Sequence, residues 1–153
     1  MKKLVLLLGA VLTFTACNDD DDNSTPEISI VGEWGLMKKE ILSGEDNKTV
    51  LESDELDDCK KKSTTTLKND GEAISELYAN IDGACKLTEK GNYTYLYEAE
   101  SKTLVISNKE NEKVNAYKVL ELTNTTLQIE NLVTEDHNGD NIEDKEVIYY
   151  VRK

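Results

Sequence analysis

The chain has 153 residues, 31 acidic against 18 basic, and a net charge of −13 at neutral pH. That length supports one domain with its own core. The charge argues against nucleic acid and anionic membrane surfaces as partners, because both select basic patches.

The first element is a leader. Lys2 and Lys3 precede an apolar run from Leu4 to Leu12, and Phe14-Thr15-Ala16-Cys17 follows. The run is shorter than the roughly 20 apolar residues a helix needs to cross a bilayer. A charged start, a short apolar stretch and a small-residue site describe a segment that is cleaved off. It resembles a bacterial lipoprotein signal peptide, in which the cysteine becomes the mature N-terminus and is acylated. On this reading residues 1–16 are removed and Cys17 carries lipid. Phe14 stands where Leu is commoner, so an ordinary secretory signal with an unrelated cysteine is the alternative. Cleavage leaves 137 residues and, by the loss of Lys2 and Lys3, moves the charge from −13 to −15.

Residues 17–27 read as a tether. Asp19 to Asp22 and then Asn23-Ser24-Thr25-Pro26 offer no apolar surface to offset the entropy of ordering. Acidic runs at this place resemble signals by which some Gram-negative bacteria put lipoproteins on the cell surface; a solvated spacer is the equal alternative. The expected location is therefore the outer membrane, lipid-anchored through Cys17, on its periplasmic or cell-surface face.

Residues 28–153 read as one β-rich domain. Ile28 to Leu42 is a long first segment broken by Gly32 and Gly35, and Glu52 to Asp58 is the one short helix expected. Strand-like runs follow: Ser63 to Leu67, Ala73 to Ala79, Asn92 to Tyr97, Leu104 to Ser107, Val114 to Leu122, Leu127 to Val133 and Val147 to Val151. Asn69-Asp70-Gly71 and Asp82-Gly83 punctuate them as turns. Short runs at such intervals indicate an antiparallel sandwich or barrel, and without crossover helices an up-and-down meander is the simplest topology. Alternation puts Leu104 with Ile106, Leu127 with Ile129, and Val147 with Tyr149 and Val151 on shared faces, although Ile148 and Tyr150 make the last strand apolar on both. Tyr93, Tyr95 and Tyr97 also share a face, as core packing or as ligand lining.

With Cys17 assigned to lipid, Cys59 and Cys85 remain as an even pair in an oxidising compartment, and a disulfide is the default. Zinc is disfavoured, because the sole histidine, His137, is far away and neither cysteine sits in a CxxC-like pair.

Several short stretches carry a family likeness. Ile30-Val31-Gly32-Glu33-Trp34 resembles the Gly-x-Trp signature that opens the first strand of lipocalins. Asp58 to Thr64, Asn69-Asp70-Gly71, Cys85, Gly91-Asn92-Tyr93, Tyr117 to Leu127 and Tyr149 to Lys153 resemble, in that order, the lipocalin-like domain of Gram-negative surface lipoproteins. The resemblance implies an all-β, up-and-down antiparallel barrel of about eight strands over residues 28–153, with an interior able to hold a small apolar molecule and no catalysis. It also implies structural roles for Gly32, Trp34 and Arg152, with Trp34 closing the barrel's base and Arg152 stacked on it.

Two binding readings remain. Asp136, Asn138, Asp140 and Asp144 sit at calcium-loop spacing, but Asn141 occupies the position where such loops need glycine, and a polar hairpin tip explains the same residues. Calcium is the only cofactor the sequence suggests. The interior reading needs a cavity lined by residues such as Leu104, Ile106, Tyr117, Leu127 and Ile129. Against a small-molecule binder of that kind stand a filled barrel acting through its surface and, third, a hydrolase, for which no nucleophile and base are legible. The expectation is a non-enzymatic monomer that binds a small apolar ligand.

Overall fold

The structure is a computed structural model that describes residues 28–54, 56–108 and 113–153. The leader of residues 1–16, the lipidation residue Cys17 and the tether of residues 17–27 lie outside the described residues. Among the described residues there are nine strands: β1 Gly32–Leu42, β2 Val50–Asp54, β3 Thr64–Leu67, β4 Glu72–Ile81, β5 Ala84–Glu98, β6 Thr103–Asn108, β7 Val114–Leu122, β8 Thr126–Asn131 and β9 Lys145–Arg152. Every pairing is antiparallel. From β3 to β9 each strand pairs with the next in sequence, and β9 returns to β1, which pairs with β3. The result is a closed up-and-down barrel of eight staves.

β2 adds no ninth stave. One edge of β1 runs along β9; the other gives Gly32 to Gly35 to β3 and Lys39 to Leu42 to β2. β2 and β3 are thus two halves of one interrupted stave. Between them the chain leaves the wall through Cys59 and a 3-10 turn, Lys60–Lys62, and returns where Leu36 N–H donates to the Ser63 carbonyl at 3.0 Å.

The helix expected over Glu52 to Asp58 is absent. Its first half is β2, and the only helical turn among the described residues is the three-residue 3-10 piece after Cys59. The physical reason is competition. Two helical turns would bear the full nucleation cost for few hydrogen bonds, whereas Val50 to Asp54 gain a ladder on β1. Asp57 then ends the extended run by accepting the backbone N–H groups of Cys59 and Lys60, each at 2.8 Å.

The β4–β5 hairpin is longer than the pattern predicts. β5 begins at Ala84, not Asn92, because Lys86, Glu89, Lys90 and Gly91 read as loop but pair along β4. The turn is the Asx-Gly pair read from the sequence: Asp82 (φ 54°) and Gly83 (φ 78°) both lie in the left-handed region, which matches the strand twist of a two-residue hairpin. A bulge at Thr88 resets the register, and beyond Leu77 the free edge of β4 faces the gap left by the interrupted stave. The Cys59–Cys85 disulfide spans that gap, with 5.4 Å between Cα atoms. Asn80 Nδ2 donates to Asp57 Oδ2 at 2.8 Å, and Tyr78 N–H donates to Ser63 Oγ at 2.9 Å, so the excursion is stitched to the hairpin at three points.

The core gathers Ile30, Trp34, Leu67, Ala73, Leu104, Val119, Leu127, Ile129 and Ile148, with the tyrosine stripe Tyr93, Tyr95 and Tyr97 packed against it. In β9 the interior face is Ile148 with Tyr150, not the expected Val147 with Tyr149 and Val151; Tyr149 instead lies under the Lys38 ammonium, 4.3 Å from its ring centroid. The alternation was correctly periodic, but with apolar residues on both faces it could not say which one turns inward.

Candidate functional site

The narrow end of the barrel is sealed by residues from both ends of the domain. Trp34 is fully buried and donates its indole N–H to the Ile30 carbonyl at 2.8 Å. The Arg152 guanidinium lies 4.1 Å from the Trp34 ring centroid, a cation–π contact. It also donates to the carbonyls of Val31 and Ser29 at 2.7 Å and of Asn124 at 2.8 Å. Gly32 makes this approach possible. Its φ is +150°, and a Cβ there would stand 2.3 Å from Arg152 Nη1. The three residues expected to be structural thus meet at one place.

Above this floor the barrel holds a cavity of about 180 Å³. Trp34, Leu67, Ala73, Leu104, Leu127 and Ile129 make its apolar part. Thr65, Ser75, Tyr93, Asn115, Tyr117 and Tyr150 add a polar belt, with Ile106 between them, and the exposed Leu77 and Glu89 stand at the rim. All five residues singled out from the sequence, Leu104, Ile106, Tyr117, Leu127 and Ile129, face this one space. Register explains why: Leu104 pairs with Tyr117 and Tyr97, Ile106 with Asn115 and Tyr95, and Ile129 with Val119 and Ile148, all on inward-facing pleats.

Of the belt the sequence reading named Tyr117 and, as one alternative, Tyr93, and it missed the rest of the belt and the rim. Ser75 and Leu77 follow Ala73 at two-residue intervals on β4, so the period-two rule reaches them once Ala73 is known to face inward. The same rule reaches Thr65 from Leu67 and Asn115 from Tyr117, but Glu89 has no such signal, since it precedes the expected start of its strand and looks like a solvated residue on a polar stretch. Burial pushes the phenols of Tyr117 and Tyr150 above the usual tyrosine range, and their nearness to each other and to Glu146 adds to the effect at Tyr150. Both therefore remain neutral hydrogen-bonding groups at any physiological pH.

The loop at residues 136–144 is a different kind of structure. Asp136 accepts the backbone N–H groups of Gly139 (2.7 Å) and Asn141 (2.9 Å), Asp140 accepts that of Ile142 (2.7 Å), and Asn138 Oδ1 accepts that of Asp140 (2.9 Å). Asp144 is buried and accepts N–H groups from Gly44 (2.9 Å) and His137 (2.8 Å), tying this hairpin to the β1–β2 loop. Oxygens of Asp136, Asn138 and Asp140 thus accept from the loop's own backbone, and those of Asp144 from His137 and from Gly44 in the β1–β2 loop. Among the described residues no group of three or more His, Cys, Asp or Glu side chains is arranged to hold a metal ion. Nor, among the described residues, is any helix long and apolar enough to cross a membrane.

Comparison with known proteins places this geometry. Among curated proteins no sequence matches. Solved structures with a similar fold include a deswapped triple mutant of bovine odorant-binding protein (15% identity, TM-score 0.40, covering 80% of this chain and 72% of that one). Bovine odorant-binding protein in complex with a selenium-containing odorant is another (14% identity, TM-score 0.41, 80% and 69% covered), as is aphrodisin, a sex pheromone from female hamster (15% identity, TM-score 0.42, 82% and 76% covered). The model of the lipocalin-like domain matches residues 30–129, which run from the core residue Ile30 to the cavity residue Ile129, and this chain belongs to that family.

Proposed function

We propose that this protein is a non-enzymatic carrier that takes one small, mainly apolar molecule into its barrel while held at the outer membrane by lipid on Cys17. The observation that carries the reading is the cavity: about 180 Å³, with an apolar floor, a belt of neutral hydrogen-bonding groups and an open rim. An internal cavity of about 150 Å³ is enough to take up benzene. This one is therefore matched to a molecule of about one ring, on the order of 6 to 10 heavy atoms, and is too small for a long acyl chain. Most ligand sites have this composition, a largely apolar wall with a few placed polar groups. Membership of the lipocalin-like family supports the same reading. The leader and Cys17 supply the anchoring half of the proposal.

Displacement of an environment-sensitive dye from the full chain by a panel of single-ring compounds tests it. Saturable one-site binding is expected, lost in Ser75→Phe, which puts a ring into the middle of the cavity. A panel without any saturable displacement overturns the carrier reading and puts in its place a barrel that acts through its surface. For the anchor, labelled palmitate should appear on the wild-type chain in its host and vanish with Cys17→Ala; label retained in that variant overturns lipidation at this residue.

A further inference from the structure

We infer that the ligand carries a protonated amine, which sits on Glu89 at the cavity rim while its apolar body lies in the barrel. The inference rests on the carrier reading and narrows it to a chemical class. Among the described residues lining the cavity, Glu89 is the only charged one; no Lys, Arg or His reaches that wall. Its basic neighbour in sequence is directed elsewhere, since Lys90 pairs with Glu76. Lys86 lies past the Thr88 bulge and does not line the cavity.

This arrangement separates ligands by charge. A carboxylate or phosphate of the right size would have to approach a protein of net charge −13 and then rest beside another anion with no cation to compensate. A protonated amine gains in both respects. The overall field draws it in, and at the rim it donates to a carboxylate, a charge-assisted hydrogen bond of the stronger kind. Tyr93 adds to the seat. Its hydroxyl stands 3.4 Å from Glu89 Oε1, so its ring lies on the cavity wall next to the carboxylate, where a cation can also meet an aromatic face. Because Glu89 is exposed, the ammonium keeps part of its hydration and the cost of burying a charge is avoided. The apolar end meets Leu104, Leu127 and Ile129 below.

Three single-ring probes of similar size test this on the full chain by titration calorimetry: 2-phenylethylamine, propylbenzene and phenylacetate. The amine should bind about fivefold tighter than the neutral compound, the upper end for an exposed ion pair, and the carboxylate should not bind measurably. Glu89→Gln should bring the amine-to-neutral ratio to within about twofold, and raising salt should lower that ratio in the wild type. Equal affinity for amine and neutral compound, or an unchanged ratio in Glu89→Gln, overturns the amine assignment while the carrier reading stands. Failure of all three probes to bind overturns both.

Discussion

The two ends of the barrel are held by different means. At the narrow end one aromatic ring and one guanidinium join the start of β1 to the end of β9, and every polar atom of the seal meets a backbone carbonyl. At the other end, among the described residues, there is no such plug. Covalent and carboxylate ties hold separate pieces of chain around an opening: the Cys59–Cys85 disulfide on one side and buried Asp144 on the other. A seal made of packing suits the end that must exclude water. Ties between loops leave that end open, as the proposed carrier role requires.

Substitutions at the two ends should therefore differ in kind as well as in size. The largest loss is expected from Trp34→Ala, about 3 to 5 kcal/mol in urea unfolding, as for other buried large-to-small changes. Hydrogen exchange should show that loss throughout the barrel. Removing the disulfide with Cys59→Ser and Cys85→Ser should cost about 3.5 kcal/mol by the chain-entropy model for a loop of this span. Lower global stability quickens exchange throughout, and residues 56–63 and 77–89 should quicken beyond that general increase; an increase no larger there than in β1 and β9 would dissolve the distinction between the ends. Asp144→Ala leaves two backbone donors without their acceptor and should cost about 1 to 2 kcal/mol. Its effect should appear first at Gly44 and His137.

The smallest effect concerns pH. Tyr149 is pushed up to about 12 by desolvation and by its hydrogen bond to Glu40, and burial also raises Tyr95, Tyr117 and Tyr150. A raised folded-state value means the unfolded chain releases these protons first. The stability they contribute is whole below about pH 10, the ordinary tyrosine value, and is lost as pH rises beyond it. Thermal melts from pH 8 to 11 should be level at first and then fall. A fall that begins near pH 8 would locate the sensitivity in other groups.

Much of this was legible because strands have a strict period. Leu104 with Ile106 and Leu127 with Ile129 could be assigned to one face from spacing alone, and the Gly32, Trp34 and Arg152 set came from the resemblance in β1 and β9. What stayed hidden was set by partners. β2 is a strand only because β1 offers its far edge, and the first half of β5 pairs despite its lysines because the Asp82-Gly83 turn aligns it with β4. Glu89 escaped notice for the same reason. A carboxylate's meaning depends on which other charges share its surroundings, and those are fixed by register, not by sequence neighbours.

Closure of the barrel also bears on how the chain is made. Lys39 in β1 meets Glu146 in β9, 107 residues later in sequence. The hairpins from β3 to β8 are local and can form as each strand emerges, but the β1–β9 seam spans almost the whole domain and closes against a large loop entropy. Until β9 has been synthesised, β1 and β8 each present an unpaired strand edge, the kind of surface that recruits other chains. Chaperone protection is thus needed most in the interval before the last strand arrives, and a chain cut short by even that one strand would keep both edges open for good.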